Sequence, residues 1–387
     1  MTVDELMQYI DSQHDTMMDL WENIVRLESW SSDTEGVRRL EEHLDTYYRA
    51  MGLHTKKYEF PPAGPALAVC TDPGSLKPVA LMAHMDTVHK PGSFGDELFV
   101  RDGEFIKGPG VYDCKGGLVV ATLVIKALQQ YGYNKRQLKL LLTSDEETAH
   151  GISKGEGAKL YYEEGSGCAC AFNCESGMMN GDMVTVRKGA GVWKMTVHGI
   201  AAHAGRELYK GANAILEAAK KIEKIQAMND GGPVGWNVGT IQGGTGSNVV
   251  PDKCEAVISV RFETNQQFDE AKAKLQAICD ENIDPRTTTE LEQNALFRAM
   301  EPVPKTAALV KKYQDACAQL GYDIPAEISS GGCSDASYMT MQGIPALCAI
   351  GVRGADNHAR TERAVEASLT EMAKKIVLTI LNLEDDF

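Results

Sequence analysis

The feature that most constrains the fold is an apolar run, "QLKLLLT" at residues 137–143, that leads into three consecutive carboxylates. These are Asp145, Glu146 and Glu147. An apolar run of this length, rich in leucine and bounded by polar residues, indicates a buried strand. Like charges at the end of a buried strand repel one another, so the cluster requires either cations among the carboxylates or free access to water. The fold must therefore bring positive charge or solvent to this strand end.

Similar apolar strands alternate with helical segments along the first half of the chain. The runs at 78–84 and 168–175 predict two further strands, and residues 115–133 predict a helix. Residues 4–29 and 35–51 have the periodicity of amphipathic helices. Strands that alternate with helices indicate an α/β fold, with a mainly parallel sheet covered by helices on both faces.

The pattern changes after residue 182. The segment 183–199, "MVTVRKGAGVWKMTVHG", alternates polar and apolar residues as a hairpin does, and further strands and helices follow it. They predict an inserted α+β domain at residues 183–296, which we expect to act as a lid and to mediate dimerisation. The α/β pattern returns afterwards, so residues 1–182 and 297–387 are predicted to form one discontinuous catalytic domain.

Charge and hydropathy exclude several kinds of partner. The 387 residues include 39 Lys and Arg against 54 Asp and Glu, a formal net charge of −15. A nucleic-acid partner is not expected, because no basic surface is available to neutralise phosphates. No apolar run is long enough for a membrane span, and the first residues lack the basic start of a signal peptide. We therefore expect a cytoplasmic protein with no membrane partner.

The cysteines allow an alternative interpretation. Cys168, Cys170 and Cys174 lie close together in "GCACAFNCES", and a thiolate metal site, a thiol-redox centre or an iron–sulfur site would need such a group. The alternation of Cys168 and Cys170 also fits a buried strand, and no second cysteine pair stands at zinc-ribbon spacing. The buried strand is the favoured interpretation, with reduced thiols as in a cytoplasm.

Metal-binding residue types follow several of the predicted strands. In an open α/β sheet the loops at the carboxyl ends of the strands share one crevice, so residues far apart in sequence converge there. Histidine and carboxylate ligands suit zinc-type cations. Taken singly, each residue is open to a structural explanation: a solvated glutamate, a satisfied histidine, or an N-cap in the case of Asp113. The candidates are His84, Asp86, Asp113, Glu146, Glu147, Glu175 and His358.

At this point the sequence resembles a known family, the co-catalytic zinc hydrolases of metallopeptidase family twenty. The family includes glutamate carboxypeptidase, aminoacylase, acetylornithine deacetylase, succinyl-diaminopimelate desuccinylase and bacterial di- and tripeptidases. The matching stretches occur in the family order across nearly the whole chain. They are "LMAHMDTV", "GPGVYDCKGG", "LLTSDEET", "NCESG", "GIAAHAG", "IQGGTGSNVVPDKCEAVISVRF", "SGGCSDASY" and "GVRGADNHARTE".

The resemblance implies a role for each candidate metal ligand. His84 and Glu175 would hold one metal ion, His358 and Glu147 the other, and Asp113 would bridge the two. Zinc is the favoured metal, with cobalt or manganese as alternatives. The resemblance also implies a cis peptide bond between Asp113 and Cys114.

The resemblance also implies catalytic and substrate-binding residues. Glu146 would be the general base, and Asp86 would orient His84. His203 of "AAHAG" would reach the active site of the other subunit of a homodimer and stabilise the oxyanion. In the glutamate carboxypeptidases of this family an arginine near the last strand of the insertion binds the substrate carboxylate, and here only Arg298 lies close to that strand. The implied substrate contacts are Asn248 and Arg261.

The sequence therefore predicts a dizinc hydrolase that cleaves an amide bond of a small peptide or an N-acyl amino acid, as carboxypeptidases and deacylases do. A di- or tripeptidase of the same family is one alternative. A catalytically silent metal-binding scaffold on the same fold is another, and Glu146 argues against it, because a silent protein would not need a base beside the ligands.

Overall fold

The computed structural model describes all 387 residues, Met1–Phe387, and the chain divides into two compact units. Unit 1 consists of Met1–Arg187, Met300–Ser330 and Ser334–Phe387, and unit 2 of Lys188–Ala299 and Gly331–Cys333. The boundaries lie after 187 and 299, where the sequence placed them after 182 and 296. The lid and dimerisation roles of unit 2 stay predictions.

Unit 1 contains eight of the ten α-helices and most of the strands. Its helices are α1 (Val3–Ser12), α2 (His14–Arg26), α3 (Thr34–Ala50), α4 (Gly116–Tyr131), α5 (Lys159–Glu164), α8 (Thr306–Gln319), α9 (Ala336–Thr340) and α10 (Ser368–Leu381), of which α9 is a short turn of five residues. Its strands are β1 (His54–Tyr58), β2 (Ala66–Cys70), β3 (Leu76–His84), β4 (Val100–Asp102), β5 (Phe105–Lys107), β6 (Arg136–Thr143), β7 (Cys170–Asn173), β8 (Met183–Arg187), β15 (Glu327–Ser330), β16 (Ala346–Leu347), β17 (Gly354–Ala355) and β18 (Arg363–Val365).

The central sheet of unit 1 has six strands in the order β1-β2-β6-β3-β7-β16. Strands β6, β3, β7 and β16 run parallel, while β1 and β2 are antiparallel additions at one edge. The predicted α/β fold with a mainly parallel sheet is therefore confirmed. In the parallel register His84 lies opposite Thr143, and Met82 lies opposite Asn173. The residues that follow β3, β6 and β7 thus emerge at one edge.

Helix α4 packs closely on the central sheet. It is buried along nearly its whole length, which explains why its sequence is apolar on all sides. A Cβ at Gly117 would lie 1.7 Å from the carbonyl oxygen of Cys174, so only glycine allows the start of α4 to approach the end of β7. This approach places the loop before α4 beside the carboxyl ends of the strands.

Unit 2 is built on a four-stranded antiparallel sheet in the order β11-β13-β9-β14. Two helices bury apolar residues against it, and side chains cap both: Asn213 caps α6 and Thr264 caps α7. Its elements are β9 (Gly189–His198), β10 (Ala202–His203), α6 (Ala214–Gln226), β11 (Gly235–Gly243), β12 (Val249–Val250), β13 (Lys253–Phe262), α7 (Asn265–Asp280) and β14 (Thr288–Phe297).

The predicted hairpin at residues 183–199 is wrong. Strand β8 pairs in parallel with β15 inside unit 1, whereas β9 pairs with β13 and β14 inside unit 2. The chain passes from one unit to the other between Arg187 and Lys188. Alternating polarity identifies two consecutive strands but not their hydrogen-bonding partners, because any edge with a matching buried face can accept them.

Two element boundaries also differ from the prediction. The helical region at 4–29 is two helices, α1 and α2, that meet at Gln13. The strand predicted at 168–175 is limited to Cys170–Asn173. None of the helices has the length and apolar character needed to cross a membrane.

Candidate metal centre and active site

The five predicted metal ligands all lie in unit 1 and converge at the carboxyl edge of the central sheet. His84 is the last residue of β3, and Glu175 follows β7 by two residues. Glu147 lies in a short 3-10 turn, Glu146–Thr148, that follows β6. Asp113 lies in the loop before α4, and His358 lies in the loop between β17 and β18.

Asp113 lies between the two histidine rings. Its Oδ1 is 3.2 Å from Nε2 of His84, and its Oδ2 is 3.3 Å from Nε2 of His358. The Asp113 side chain makes no N-cap for α4, whose N-cap residue is Lys115. The N-cap alternative is therefore wrong. The Asp113–Cys114 peptide bond is cis, as predicted.

Each of the two remaining carboxylates lies near a different histidine. Glu175 Oε1 is 3.6 Å from Nε2 of His84, and Glu147 Oε2 is 3.1 Å from Nε2 of His358. Two groups of residues have ligand atoms within 4.8 Å of one another, His84 with Asp113 and Glu147, and His84 with Cys114 and Glu175. The structure therefore contains two adjacent clusters of donor atoms.

Asp86 contacts His84, and its carboxylate also holds the turn after β6. Nδ1 of His84 donates to the backbone oxygen of Asp86 at 2.9 Å, and it lies 3.4 Å from the Asp86 carboxylate. The carboxylate accepts the backbone N–H groups of Glu146 and Glu147, each at 3.2 Å, and the hydroxyl of Ser31 at 2.7 Å. Asp86 thus links the orientation of His84 to the position of the turn.

Burial raises the proton affinity of three carboxylates in the cluster. It raises the pKa of Glu147 to about 8 and that of Glu175 to about 7. The pKa of Glu146 lies well above its usual value, first because of burial and then because of the charge on Glu175. Without a compensating cation, Glu147 and Glu175 therefore bind protons near neutral pH.

The other ligands shift in ways that reflect direct pairing. Hydrogen bonds that His358 donates to the Asp113 and Glu147 carboxylates raise its pKa to about 10. Burial opposes the charged form of His84, but Cys114, Glu175 and Asp113 raise its pKa well above its usual value. Burial also opposes the charge on Asp113, yet hydrogen bonds with the two histidines hold its pKa well below its usual range.

The donor set fits divalent cations. Glu147 Oε1 is buried and has no hydrogen-bond partner within the protein, so its lone pairs are available to a cation. Imidazole and carboxylate are ligands of zinc and of related ions. Cys114 differs from these donors, because its thiol accepts the backbone N–H of His84 at 3.2 Å and burial raises its pKa well above its usual value.

Several residues that the sequence assigned no role also contact the site. Asn357 donates to Oδ2 of Asp113 at 3.0 Å. His150 lies between two carboxylates, with Asp145 Oδ1 at 2.9 Å and Asp335 Oδ1 at 2.7 Å. Glu362 accepts the backbone N–H of Asp113 at 3.0 Å. Their positions in the sequence could have marked them as candidates, because they lie within or beside the matching stretches "GVRGADNHARTE", "SGGCSDASY" and "LLTSDEET".

The three remaining predicted residues lie in unit 2 and are exposed. His203 is on β10, where the N–H of Gly205 donates to its Nδ1 at 3.1 Å. The backbone of Asn248 accepts the N–H of Ala204 at 3.0 Å, so Asn248 and His203 are neighbours. Arg261 lies near the far end of β13, and its guanidinium donates to Cys333 Sγ at 3.2 Å.

Arg298 and the cysteine group show no open ligand site. The Arg298 guanidinium lies 4.3 Å from the ring centre of Phe268 and 3.4 Å from Asp269, so it is already engaged within unit 2.

Cys168, Cys170 and Cys174 are buried and free, and Cys170 begins β7. The buried-strand interpretation of the cysteine group agrees with this placement.

Comparison with known proteins assigns the family. The model of the family described as "Peptidase family M20/M25/M40" matches residues 80–382. The chain belongs to this peptidase family. Its members typically depend on two metal ions, and the ligand-type residues clustered around Asp113 agree with that requirement.

Related sequences and structures agree with this assignment. The chain is 24% identical to carboxypeptidase G2 of Pseudomonas sp. over 372 residues, which cover 94% of this chain and 88% of that protein. It is 26% identical to aminoacylase-1A of Rattus norvegicus over 332 residues, 79% of each chain. The crystal structure of aminopeptidase PepT from Bacillus cereus superposes with a TM-score of 0.74 at 20% identity, covering 95% of this chain and 98% of that one. The M20 family protein described here is therefore a hydrolase that acts on amide bonds.

Proposed function

We propose that the protein is a two-metal hydrolase that cleaves an amide bond of a small peptide or an N-acyl amino acid. One observation carries the proposal: the two oxygens of Asp113 face two different imidazoles, at 3.2 and 3.3 Å. A carboxylate shared in this way suits two divalent ions, which His84 and Glu175 would hold on one side and His358 and Glu147 on the other. Zinc is the proposed metal, and cobalt and manganese suit the same donors.

Bound divalent ions would supply a water of lowered pKa and would polarise the substrate carbonyl. Glu146 is the proposed general base beside that water. Burial gives its carboxylate a raised proton affinity, so it can accept a proton from the attacking water and return it to the leaving nitrogen. Asp86 holds the backbone N–H of Glu146 and thereby limits the movement of the base.

We also propose a homodimer formed through unit 2, in which His203 serves the active site of the partner subunit and stabilises the oxyanion. Two features support this assembly. The sheet of unit 2 ends in the edge strands β11 and β14, and pairing across a two-fold axis would protect them. Large apolar side chains near β10 are also exposed, as at protein interfaces. They include Leu208 at 51%, Tyr209 at 93% and Leu216 at 55% exposure.

Asn248 and Arg261 are the proposed substrate contacts. Both are exposed and polar, and Asn248 neighbours His203. The ten free cysteines agree with a reducing compartment, which supports a location in the cytoplasm.

The function is tested by metal analysis together with a substrate screen. Protein stripped with a chelator and reconstituted with Zn²⁺ should bind two ions per chain and should hydrolyse members of a panel of N-acyl amino acids and dipeptides. Preference for N-acyl substrates would favour a deacylase, and preference for dipeptides would favour a peptidase. One ion at saturation, or no turnover with either class, would contradict the proposal.

Subunit complementation tests the role of His203. A mixture of inactive His203→Ala and inactive Glu146→Gln chains should recover partial activity, because a heterodimer contains one site with both residues intact. Full activity of the His203→Ala enzyme alone, or an active monomer on sizing, would show that His203 does not act across subunits.

A further inference from the structure

The loop that carries His358 ends in a buried carboxylate with no place in the proposed reaction. Glu362 follows His358 by four residues, and its side chain is fully buried. A buried carboxylate is costly unless hydrogen bonds satisfy its oxygens. The partners of Glu362 therefore indicate why the fold keeps it there.

Both oxygens of Glu362 accept hydrogen bonds from the loop that carries Asp113. Oε1 accepts the backbone N–H of Tyr112 at 2.9 Å and that of Asp113 at 3.0 Å. Oε2 accepts the backbone N–H of Gly110 at 3.3 Å and Nε2–H of His89 at 2.6 Å. One side chain thus binds three amides of a four-residue segment and one imidazole.

That segment depends on outside acceptors because its backbone is irregular. Gly110 has a left-handed conformation with φ of 72°, and Asp113 has φ of −114° and ψ of 97°. A backbone of this kind cannot satisfy its N–H groups through a regular helix or ladder. Since the Asp113 amide and carboxylate belong to one residue, fixing the amide restricts where the carboxylate points.

The same loop approaches Asp113 from both sides. His358 faces the Asp113 carboxylate at 3.3 Å, while Glu362 binds the Asp113 amide at 3.0 Å. The five residues from His358 to Glu362 therefore contact both the carboxylate and the amide of Asp113. We infer that Glu362 is a positioning residue that sets the placement of Asp113 relative to His358, and that His89 orients Glu362. This inference rests on the proposed function, in which Asp113 and His358 share a metal ion.

The test uses the full-length Glu362→Gln protein, stripped of metal and titrated with Zn²⁺ by calorimetry. Glutamine keeps the size of the side chain, but its NH₂ group would meet the N–H donors of Gly110 and His89. We expect the binding step that involves His358 to weaken by about 10–100-fold, the usual cost of losing an outer partner of a metal ligand. The step that involves His84 and Glu175 should change less, and kcat should recover when Zn²⁺ saturates both steps.

Controls separate positioning from general stability. Glu366→Gln alters a partly exposed carboxylate on the same segment, which forms surface ion pairs with His14 and Arg101, and it should leave both binding steps unchanged. His89→Leu removes one donor to Glu362 without altering the Glu362 loop, and it should weaken the same step by a smaller factor. His358→Ala identifies which binding step belongs to that histidine.

The outcomes distinguish the inference from the function on which it rests. Equal binding by wild type and Glu362→Gln, or equal weakening of both steps with a lower melting temperature of the metal-free protein, would overturn the positioning role. The second result would make Glu362 a purely structural residue. If Glu362→Gln does not fold, the same two results with His89→Leu overturn the inference. If wild type itself fails to bind two ions, the proposed two-metal function is wrong, and the inference that rests on it is wrong as well.

Discussion

The two sides of the candidate metal centre share Asp113 but are built differently. His84 ends a central strand and is 1% exposed, and Glu175 follows the neighbouring strand. The His358 side chain is 53% exposed and lies on a loop, where both Asp356 and His358 have left-handed backbone conformations with φ of 64°. We call the first the buried side and the second the exposed side.

This difference teaches how each side obtains its geometry. Strand register places the buried side, because His84 pairs with Thr143 within the sheet and Glu175 follows β7 by two residues. The exposed side depends on particular contacts, such as that of Asp86 with the Glu147 amide. Sites on strands are held more rigidly than sites on loops. The buried side should therefore bind its ion more tightly and exchange it more slowly.

The largest expected effect comes from the proposed general base, which binds neither ion in the proposed scheme. Glu146→Gln should lower kcat by about 10²–10⁴-fold, because it removes the general base and leaves the ligands in place. Steady-state kinetics on protein with two bound ions would measure this loss. Turnover close to wild type would remove Glu146 from the role of base, and loss of a metal ion would show that it is a ligand instead.

Single histidine variants compare the two sides directly. His84→Ala and His358→Ala each delete a proposed ligand. Each should therefore lower the affinity for one metal ion by more than about 10–100-fold, the usual cost of losing a residue that only hydrogen-bonds to a ligand. We expect His358→Ala to retain one tight ion and His84→Ala to lose the tight one. Zn²⁺ calorimetry on both variants measures the difference. Identical binding curves would mean that burial does not separate the two sides.

Asp86→Asn should disturb both His84 and the turn that carries Glu147, and the expected loss of kcat is smaller than for Glu146→Gln. The carboxylate accepts the amides of Glu146 and Glu147, and the NH₂ group of asparagine would oppose one of them. We expect kcat to fall by about 10–100-fold. Ser31→Ala, which removes only a hydroxyl partner of Asp86, is the matched control and should cost less. An Asp86→Asn enzyme with unchanged kcat would show that the turn holds its position without this carboxylate.

The smallest expected effect is on the pH dependence of the metal-free protein. Burial raises the pKa of Glu147 to about 8 from an unfolded value of 4.5, so the folded state holds a proton there that the unfolded state releases. The resulting stability is complete below about pH 4.5 and is lost as the pH rises through about 8. The free energy of unfolding should fall by at most about 1.4 kcal/mol per pH unit in this window.

Urea unfolding of the metal-free protein between pH 5 and 8 measures this slope. Glu147→Gln cannot titrate at that position, so its slope should be shallower than that of wild type. Since a metal ligand must lose its proton, Zn²⁺ binding to wild type should release protons and should tighten with rising pH over the same window. Parallel slopes for the two proteins would exclude Glu147 as the cause.

The acidic strand ends show how far the sequence could lead. Metal-binding residue types after three apolar strands predicted one shared edge, because parallel strands place their carboxyl ends together. Motifs then indicated a family and a ligand set. The roles of Glu362, Asp335 and His150 could not be obtained in this way. Each acts through a partner distant in sequence, and a buried carboxylate looks the same in sequence as a solvated one.

The hairpin error has a similar origin. The polar alternation of residues 183–199 correctly indicated strands, but β8 pairs with β15, more than a hundred residues away in sequence. Hydrogen-bonding partners depend on which edge is available after the chain has folded. Local sequence carries no direct information on that choice.

By itself, the sequence determined the fold class, the strand ends where the acids lie, and the residues able to bind metal, because hydrophobic periodicity and side-chain chemistry are local properties. Only the tertiary structure decided that Asp113 lies between His84 and His358, that His84 is buried and His358 exposed, and that Asp86 and Glu362 hold the loops. These are distances between segments far apart in the chain. They are set by strand register, helix packing and the need to satisfy every buried polar group at once.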